Sequence, residues 1–236
     1  MSTKKRVLIK LTGELFLSHD KKRLTADVFT ALINDLKELH LTHDIGMVIG
    51  GGNFFRGNQH GKALGLTASA GHQIGMLATM MNGLIIKDLL EQHGFLVSLF
   101  SALTCPEVGE SITSQALHEA LCAGRILVFV GGTGNPFFTT DTSAILRGLQ
   151  MGAQEVWKGT SVDGVYSDDP AKTANVVLLP KLSYQQVLEK RYGIMDATAF
   201  ALAAEHCMPM QIFNIFTPGA LVRAGRGEDI GTRITS

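Results

Sequence analysis

Residues 126–130, Ile-Leu-Val-Phe-Val, form a run that is apolar at every position. A strand with one solvated face alternates apolar and polar residues, so a run without alternation indicates a strand covered on both faces. Short apolar runs at residues 7–9, 45–49, 96–99 and 210–213 alternate with stretches that have helical spacing. Strands that alternate with helices predict βαβ units. We therefore expect an α/β fold, a three-layer α/β/α sandwich with a mainly parallel central sheet.

The helical stretches carry apolar residues three and four positions apart. Such spacing places them on one face of a helix, as in the series Val28, Leu32, Leu36, Leu39 and the series Ile74, Leu77, Met81, Leu84, Leu89. A third helix is predicted over residues 111–123, and residues 57–71 are predicted to form a loop.

Composition limits the classes of protein that this chain can belong to. Its 236 residues are 45% apolar and 18% charged, with 21 basic and 21 acidic residues. The balanced charge argues against a strongly electrostatic nucleic-acid binder. Three widely spaced cysteines indicate a reducing compartment, and no run approaches the ~18 apolar residues of a membrane span. We expect one cytoplasmic domain, residues 1–236, with two lobes at about 1–150 and 151–236 and no membrane or nucleic-acid partner.

Three consecutive glycines, Gly50, Gly51 and Gly52, follow the apolar run 45–49, and Arg56 comes four residues later. Glycine lets the backbone turn sharply and bring several N–H groups against a ligand. Backbone donors beside a guanidinium suit phosphate oxygens. This stretch predicts an anion site, with a plain flexible turn as the alternative.

A second glycine-rich stretch, residues 131–141, follows the run 126–130. It ends in two threonines and Asp141 before a helix, whose N-terminus favours anions. Asp141 is a candidate for binding Mg²⁺ or for orienting a lysine; the alternative is a simple helix N-cap. Phe137 and Phe138 either belong to the core or frame a planar base.

Lys10 ends the first predicted strand, beside Thr12 and Gly13. Strand ends at the carboxyl edge of a parallel sheet face the ligand crevice, where a lysine can reach a transferring phosphoryl group. The alternative is an ordinary surface lysine. A later loop holds Asp163 and Tyr166, whose ring either covers a base or is half-buried in a turn.

Several known motifs are absent from the sequence. No Walker phosphate loop occurs, and no G-x-G-x-x-G follows the first strand. The histidines form no metal-ligand pattern, and no Ser-His-Asp arrangement or G-x-S-x-G elbow is present. Any nucleotide must therefore bind through other loops.

These stretches, in this order, resemble the bacterial uridylate kinases (UMP kinases) of the amino-acid kinase superfamily. The resemblance covers nearly the whole chain and rests on residues 10–14, 49–57, 75–79, 82–83, 132–141, 162–166, 169–170, 214, 218–221 and 231–232. The run Gly-Thr-Gly-Asn-Pro-Phe-Phe-Thr-Thr-Asp at 132–141 is the specific motif, whereas the others are shared more widely in the superfamily.

The resemblance implies phosphorylation of UMP to UDP by direct in-line transfer from ATP with Mg²⁺, in pyrimidine nucleotide (CTP) synthesis. It implies a homohexamer, inhibition by UTP and activation by GTP. The lobe at about 1–150 would bind UMP, and the lobe at about 151–236 would bind ATP. Mg²⁺ would be held mainly through the ATP phosphates, with Asp141 as a further candidate ligand.

The resemblance also implies site residues. The catalytic residues would be Lys10, Arg56 and Asp141. The ATP-binding residues would be Lys10, Leu11, Thr12, Gly13, Gly52, Arg56, Thr160, Tyr166 and Asp169. The UMP-binding residues would be Gly51, His72, Thr133, Gly134, Asn135, Pro136, Phe137, Phe138, Thr139 and Thr140.

The chain departs from the family pattern at two places. Many members carry an aspartate at the place of His72, where it touches the nucleoside of UMP. Residues 18–23 replace a more glycine-rich stretch linked to activation by GTP. Two other functions stay open: a carboxylate or carbamate kinase of the same superfamily, and a nucleotide-sensing regulator without turnover.

Overall fold

The computed structural model describes residues 4–18, 24–168, 172–173, 175–190 and 192–236. Its strands are β1 (Lys5–Leu11), β2 (His43–Ile49), β3 (Val97–Ser101), β4 (Glu110–Ser111), β5 (Ile126–Val130), β6 (Glu155–Thr160), β7 (Lys181–Ser183), β8 (Met210–Asn214) and β9 (Thr232–Thr235). Its α-helices are α1 (Asp27–Thr42), α2 (Ala68–Gln92), α3 (Ser114–Cys122), α4 (Thr140–Met151), α5 (Tyr184–Lys190), α6 (Ala197–Glu205) and α7 (Ala220–Gly225). A 3₁₀ turn spans Gly13–Phe16 and a π-helical turn spans Gly57–Gly61.

The strands form one nine-stranded sheet in the order β4-β3-β5-β2-β1-β6-β8-β9-β7. Strand β9 runs antiparallel to β8, and the other pairings are parallel. The predicted α/β fold with a mainly parallel sheet is therefore confirmed. The sheet is continuous through both predicted lobes, and their division stays a prediction.

Two hydrophobic layers cover the two faces of the sheet. Successive side chains of a strand point to opposite faces, so in β1 Val7 and Ile9 join the core layer that contains α1, α2 and α7. Leu8 lies between them and joins the other layer, which contains α3, α4, α5 and α6. Because β1 lies at the middle of the sheet, its side chains are buried on both faces.

Helix boundaries differ from the predicted ones because threonine hydroxyls cap the helices. Thr67 accepts a hydrogen bond from Ala70 N at 3.3 Å, and α2 therefore begins inside the predicted loop 57–71. Thr113 accepts from Ala116 N at 3.2 Å and starts α3 later than predicted. No helix in the described part of the chain is long and apolar enough to span a membrane.

Helix α2 buries a different face from the one that its most regular apolar series suggests. Leu77, Met81 and Leu84 are 53%, 45% and 43% exposed. The buried face includes Met80 and Ile86 instead. Helical spacing therefore identified the helix but did not decide which side lies against the sheet.

Gly83 allows α2 to approach the sheet closely. A Cβ atom at this position would lie 2.2 Å from Val130 Cγ1 and 3.1 Å from Leu99 Cδ1. Both neighbours are buried side chains of the central sheet, so they have little space into which to move.

Gly83→Ala should lower the free energy of unfolding by about 1–3 kcal/mol, because the added methyl overpacks the helix–sheet contact. Gly75→Ala in the same helix is the matched control, since a Cβ there has no atom within 4 Å. The control should stabilise the protein by about 0.5–1 kcal/mol, through the ordinary helix preference of alanine. Urea unfolding measures both, and equal effects of the two substitutions would contradict the close approach at Gly83.

Candidate functional site

Parallel strands bring the predicted site residues to the carboxyl edge of the sheet. Strand β1 ends just after Lys10, β2 leads into Gly50, β5 leads into Gly131, and β6 ends at Thr160. Ligands of open α/β sheets bind outside this edge, because the loops that leave the strands surround it.

Two lysines and one aspartate form a buried charged cluster at this edge. Lys10 and Lys158 are register partners across the pairing of β1 with β6. They follow Leu8 and Val156 by two residues, so they point to the same sheet face as those core side chains. Asp141, in the first turn of α4, lies on that face. Its Oδ1 is 3.0 Å from Lys10 Nζ, and its Oδ2 is 2.8 Å from Lys158 Nζ.

The cluster carries two ammonium groups for one carboxylate. Burial alone would raise the pKa of Asp141, but the charges of Lys10 and Lys158 outweigh it and hold that pKa below its ordinary value. Burial lowers the pKa of Lys158 to about 8, and the charge of Lys10 acts in the same direction against the opposing effect of Asp141. The cluster therefore has a net positive charge that an anionic ligand can neutralise.

Lys158 is the principal functional candidate that sequence reasoning missed. The sequence patterns assign Lys10 and Asp141 to phosphate chemistry but assign no role to Lys158. The available signal was a lysine directly after the apolar residues Val156 and Trp157 of a predicted strand. Its partner on β1 is known only once the two strands are paired in register.

Close approaches require glycine at Gly51 of the first hinge, residues 50–52, and at Gly13 of the loop that lies against it. A Cβ at Gly51 would lie 2.7 Å from the Cβ of Ala78 on α2. A Cβ at Gly13 would lie 2.6 Å from Gly50 O, so the loop after β1 contacts the hinge directly. The predicted ATP-binding residues Leu11, Thr12 and Gly13 therefore lie beside the first hinge.

Arg56 lies beside the first hinge, as predicted, and is held in two ways. Its Nε donates to Gly52 O at 3.2 Å, and its Nη2 lies 2.6 Å from Glu14 Oε1. The side chain is 45% exposed, so the guanidinium keeps a solvent-facing side.

Two polar side chains of α2 hydrogen-bond to the first hinge and to the second glycine-rich stretch, residues 131–141, which we call the second hinge. Fully buried Asn82 donates through Nδ2 to Gly50 O and to Asn53 Oδ1, each at 2.7 Å, and accepts from Asn53 Nδ2 at 3.0 Å. Thr79 Oγ1 accepts from Gly131 N at 2.9 Å. One helix thus fixes both glycine-rich stretches, which the sequence patterns did not indicate.

Asp196 holds the N-terminal ends of two helices together. It caps α6 by accepting from Ala199 N at 2.9 Å. It also accepts from the hydroxyls of Thr139 at 2.5 Å and Thr142 at 2.9 Å, at the start of α4. Asp196 therefore helps to position the helix turn that carries Asp141.

A cavity of about 280 Å³ opens between the two hinges. Six of the residues predicted to bind nucleotide line it together with the start of α2: Gly51, Gly52, His72, Phe138, Thr139 and Thr140. Its remaining lining is Phe55, Gly57, Gly71, Gly75, Met76, Thr79 and Gly132. The cavity is of a size for a small-molecule ligand.

The middle of the second glycine-rich stretch does not line this cavity. Thr133 lines a separate polar cavity beside it, and Gly134, Asn135 and Pro136 are absent from both linings. Phe137 has a φ of 71° and is 66% exposed, so the core alternative is wrong for this side chain, and Phe138 is 44% exposed. The ring centroid of Phe137 is 5.3 Å from that of His72.

The predicted ATP-binding loop lies at the ends of β6 and β8. Tyr166 donates to Asp163 Oδ2 at 3.4 Å, and Asn214 Nδ2 donates to Asp163 Oδ1 at 3.1 Å. Asp163 and Asn214 line a cavity of about 260 Å³ next to the loop. Asp169 and residues 19–23 of the departing stretch 18–23 lie outside the described residues.

The described residues do not offer a carboxylate cage for a metal ion. No group of three or more His, Cys, Asp or Glu side chains with metal-binding geometry occurs among them. Both oxygens of Asp141 already contact ammonium groups. The N-cap alternative for Asp141 is wrong, because Thr139 caps α4 and accepts from Asp141 N at 3.0 Å. The contacts with Lys10 and Lys158 fit the role of orienting lysines, and a role in binding Mg²⁺ stays a prediction.

A larger cavity, of about 670 Å³, lies at the opposite edge of the sheet. Two of its basic side chains are already engaged: Lys4 Nζ donates to His40 O at 2.5 Å, and Arg226 contacts Glu38 at 2.7 Å. None of the predicted site residues lines it. We therefore assign the chemistry to the carboxyl edge.

Comparison with known proteins identifies the family of this chain. A model described as the Amino acid kinase family matches residues 5–214. The uridylate kinase of Pseudoalteromonas atlantica is 44% identical over 231 residues, which cover 98% of this chain and 93% of that protein. The uridylate kinase of Photorhabdus laumondii is 45% identical over 230 residues, covering 97% and 95%.

Solved structures show the same fold. The UMP kinase from Ureaplasma parvum has a TM-score of 0.93 and 27% identity, covering 99% of this chain and 100% of that chain. The UMP kinase from Bacillus anthracis has a TM-score of 0.92 and 31% identity, covering 98% and 96%. The resemblance inferred from the motifs is thus confirmed, and the chain belongs to the uridylate kinases of the amino acid kinase family.

Proposed function

We propose that this chain converts UMP and ATP to UDP and ADP by direct in-line phosphoryl transfer, in pyrimidine nucleotide synthesis. The observation that carries the proposal is the buried cluster of Lys10, Asp141 and Lys158 at the sheet edge where both glycine hinges converge. A positive cluster beside a small polar cavity suits the joining of two phosphate groups.

The acceptor in this reaction is a phosphate oxygen of UMP. The second pKa of a phosphomonoester is about 6, so this group is mostly dianionic at neutral pH and needs no general base. The main barrier is the repulsion between two polyanions, which reaches several kcal/mol at a few ångströms and an effective dielectric constant of about 20. Fixed cationic groups at the point of transfer offset this repulsion.

We assign the neutralising role to Lys10 and Lys158, and the positioning of both lysines to Asp141. Arg56, which is joined to Gly52 and Glu14, is placed to contact the phosphates at the first hinge. Mg²⁺ would enter on the phosphates of ATP and neutralise their β and γ oxygens. The two contacts of Asp141 with ammonium groups support this over direct metal binding by the protein.

UMP would occupy the cavity of about 280 Å³ between the hinges, with its phosphate toward the Gly51 and Gly52 backbone. His72 and Phe138 would contact the nucleoside from the cavity wall. ATP would approach from the β6 side, with Thr160 and Tyr166 at its adenosine end. The in-line geometry requires the two phosphates to meet near Lys10.

We also propose that the chain assembles into a homohexamer, is inhibited by UTP and responds to GTP. The apolar strip of Leu77, Met81 and Leu84 on α2 supports assembly, because exposed apolar side chains at helical spacing favour contact with another subunit.

An ADP-release assay with Mg-ATP and a panel of UMP, CMP, dUMP, acetylglutamate, aspartate and carbamate tests the proposal. Turnover should be fastest with UMP. Faster turnover with a small acid would favour a carboxylate or carbamate kinase, and no turnover with any acceptor would favour a regulator that only binds nucleotides.

Lys10→Met should lower kcat by about 10²–10³-fold while the KM for UMP changes by less than about threefold, because the lost charge acts mainly on the transferring group. Asp141 keeps Lys158 as a partner in this variant. Lys5→Met, at the exposed end of the same strand, is the matched control and should leave kcat unchanged. A fully active Lys10→Met protein would refute the role of Lys10.

The kcat/KM for UMP should fall as the pH rises through about 8, since the pKa of Lys158 is lowered to about 8 and only its ammonium form neutralises phosphate. Arginine stays charged over this range, so Lys158→Arg should remove the alkaline limb even if its maximal rate is lower. A wild-type profile that stays level to pH 10 would count against this assignment.

Asn82→Asp should lower kcat/KM for UMP by about 10–100-fold, because a carboxylate would repel Gly50 O and Asn53 Oδ1 and displace the first hinge. Asn34→Asp, exposed on α1, adds the same charge away from the site and should have no effect. Steady-state kinetics, with circular dichroism to verify folding, measures both. An equal response of the two variants would exclude a positioning role for Asn82.

A further inference from the structure

Arg147 of α4 is a buried cation without a described carboxylate partner. It is only 4% exposed. Its Nη1 donates to Gln150 Oε1 at 2.6 Å and its Nη2 donates to Gly132 O at 2.9 Å, and both acceptors are neutral. Its Nε has no hydrogen-bond partner in the described part of the chain. Two of the three guanidinium nitrogens of Arg147 thus have hydrogen-bond acceptors, but no described carboxylate balances the positive charge.

Burial of an unpaired charge is unfavourable, and buried charges in proteins are normally paired. Burial lowers the pKa of Arg147, and no described acidic group acts against this effect. The other buried lysine or arginine among the described residues, Lys158, is paired with Asp141. Arg147 therefore has no counter-charge within the described part of the chain, and an external anion could supply one.

Arg147 lines a polar cavity of about 300 Å³ between the second hinge and the ends of β3 and β4. Four hydroxyl side chains share the lining: Ser101, Thr104, Ser111 and Thr133. The side-chain hydroxyls of Thr104 and Ser111 make no hydrogen bond to any described residue, and no acidic side chain lines the cavity. A guanidinium with free hydroxyl donors is the donor set that tetrahedral oxyanions accept.

We propose that this cavity binds a small oxyanion, such as inorganic phosphate or the terminal phosphate of a longer phosphate chain, as the counter-charge of Arg147. The site is separate from the cavity assigned to UMP, but the two are linked through the second hinge. Arg147 holds Gly132, which lines the UMP cavity, and Thr133 lines the oxyanion cavity. A bound oxyanion would therefore act on the loop that contacts the substrate.

Thermal unfolding of the full chain tests the proposal, with UMP and ADP present at saturation so that the active site is occupied. Inorganic phosphate should raise the midpoint saturably, by roughly 3 °C at about ten times its Kd, beyond the effect of sodium chloride at equal ionic strength. A rise no larger than that of chloride would overturn the proposal. A parallel titration with pyrophosphate distinguishes inorganic phosphate from the terminal phosphate of a longer chain as the ligand. Tighter binding of pyrophosphate than of phosphate assigns the site to the end of a phosphate chain.

Two variants at one lining position provide the decisive comparison. Thr104→Asp supplies a carboxylate to Arg147 and should abolish the response to phosphate. Asparagine has the shape of aspartate without its charge, so Thr104→Asn should retain the response. Arg147→Gln should also lose the response, and if that variant does not fold, the pair at position 104 still decides. An undiminished phosphate response in Thr104→Asp would show that the anion binds elsewhere and would refute the site.

Discussion

The contact of Asp141 with two lysines is the interaction on which the rest of the site depends. Register pairing brings Lys10 and Lys158 to adjacent positions on one sheet face. Two unit charges about 5–8 Å apart repel by about 2–3 kcal/mol at an effective dielectric constant of about 20. Asp141 compensates this repulsion without cancelling the net charge, because one carboxylate faces two ammonium groups. The fold thereby keeps a buried positive charge where two phosphates would meet.

Helix α2 fixes the relative position of the two hinges of the proposed nucleotide site. Asn82 fixes the first hinge and Thr79 fixes the second, while Gly83 lets the helix lie close against β5. The two hinges belong to loops that are far apart in sequence, so their relative position depends on a third element. A helix that contacts both would supply the preorganisation that the proposed phosphoryl transfer requires.

The sequence patterns were most informative where chemistry is local. The unalternating run 126–130, the glycine stretches after two strands and the polar ends of those stretches predicted a parallel sheet with an anion site at its carboxyl edge. The predictions were weaker at helix ends, where the threonine caps at Thr67 and Thr113 moved the boundaries. Helical spacing in α2 also failed to separate the buried face from the exposed strip of Leu77, Met81 and Leu84.

The sequence by itself determined the α/β class, the two hinges and the candidates Lys10, Arg56 and Asp141, because strand and turn preferences depend on neighbouring residues. Only the tertiary structure decided that Lys158 joins Lys10, that Asn82 and Thr79 hold the hinges, and that Arg147 has only neutral partners among the described residues. Each of these depends on which strands pair in register and which helix covers which face. Such long-range contacts follow from packing of the whole chain, and residue spacing does not record them.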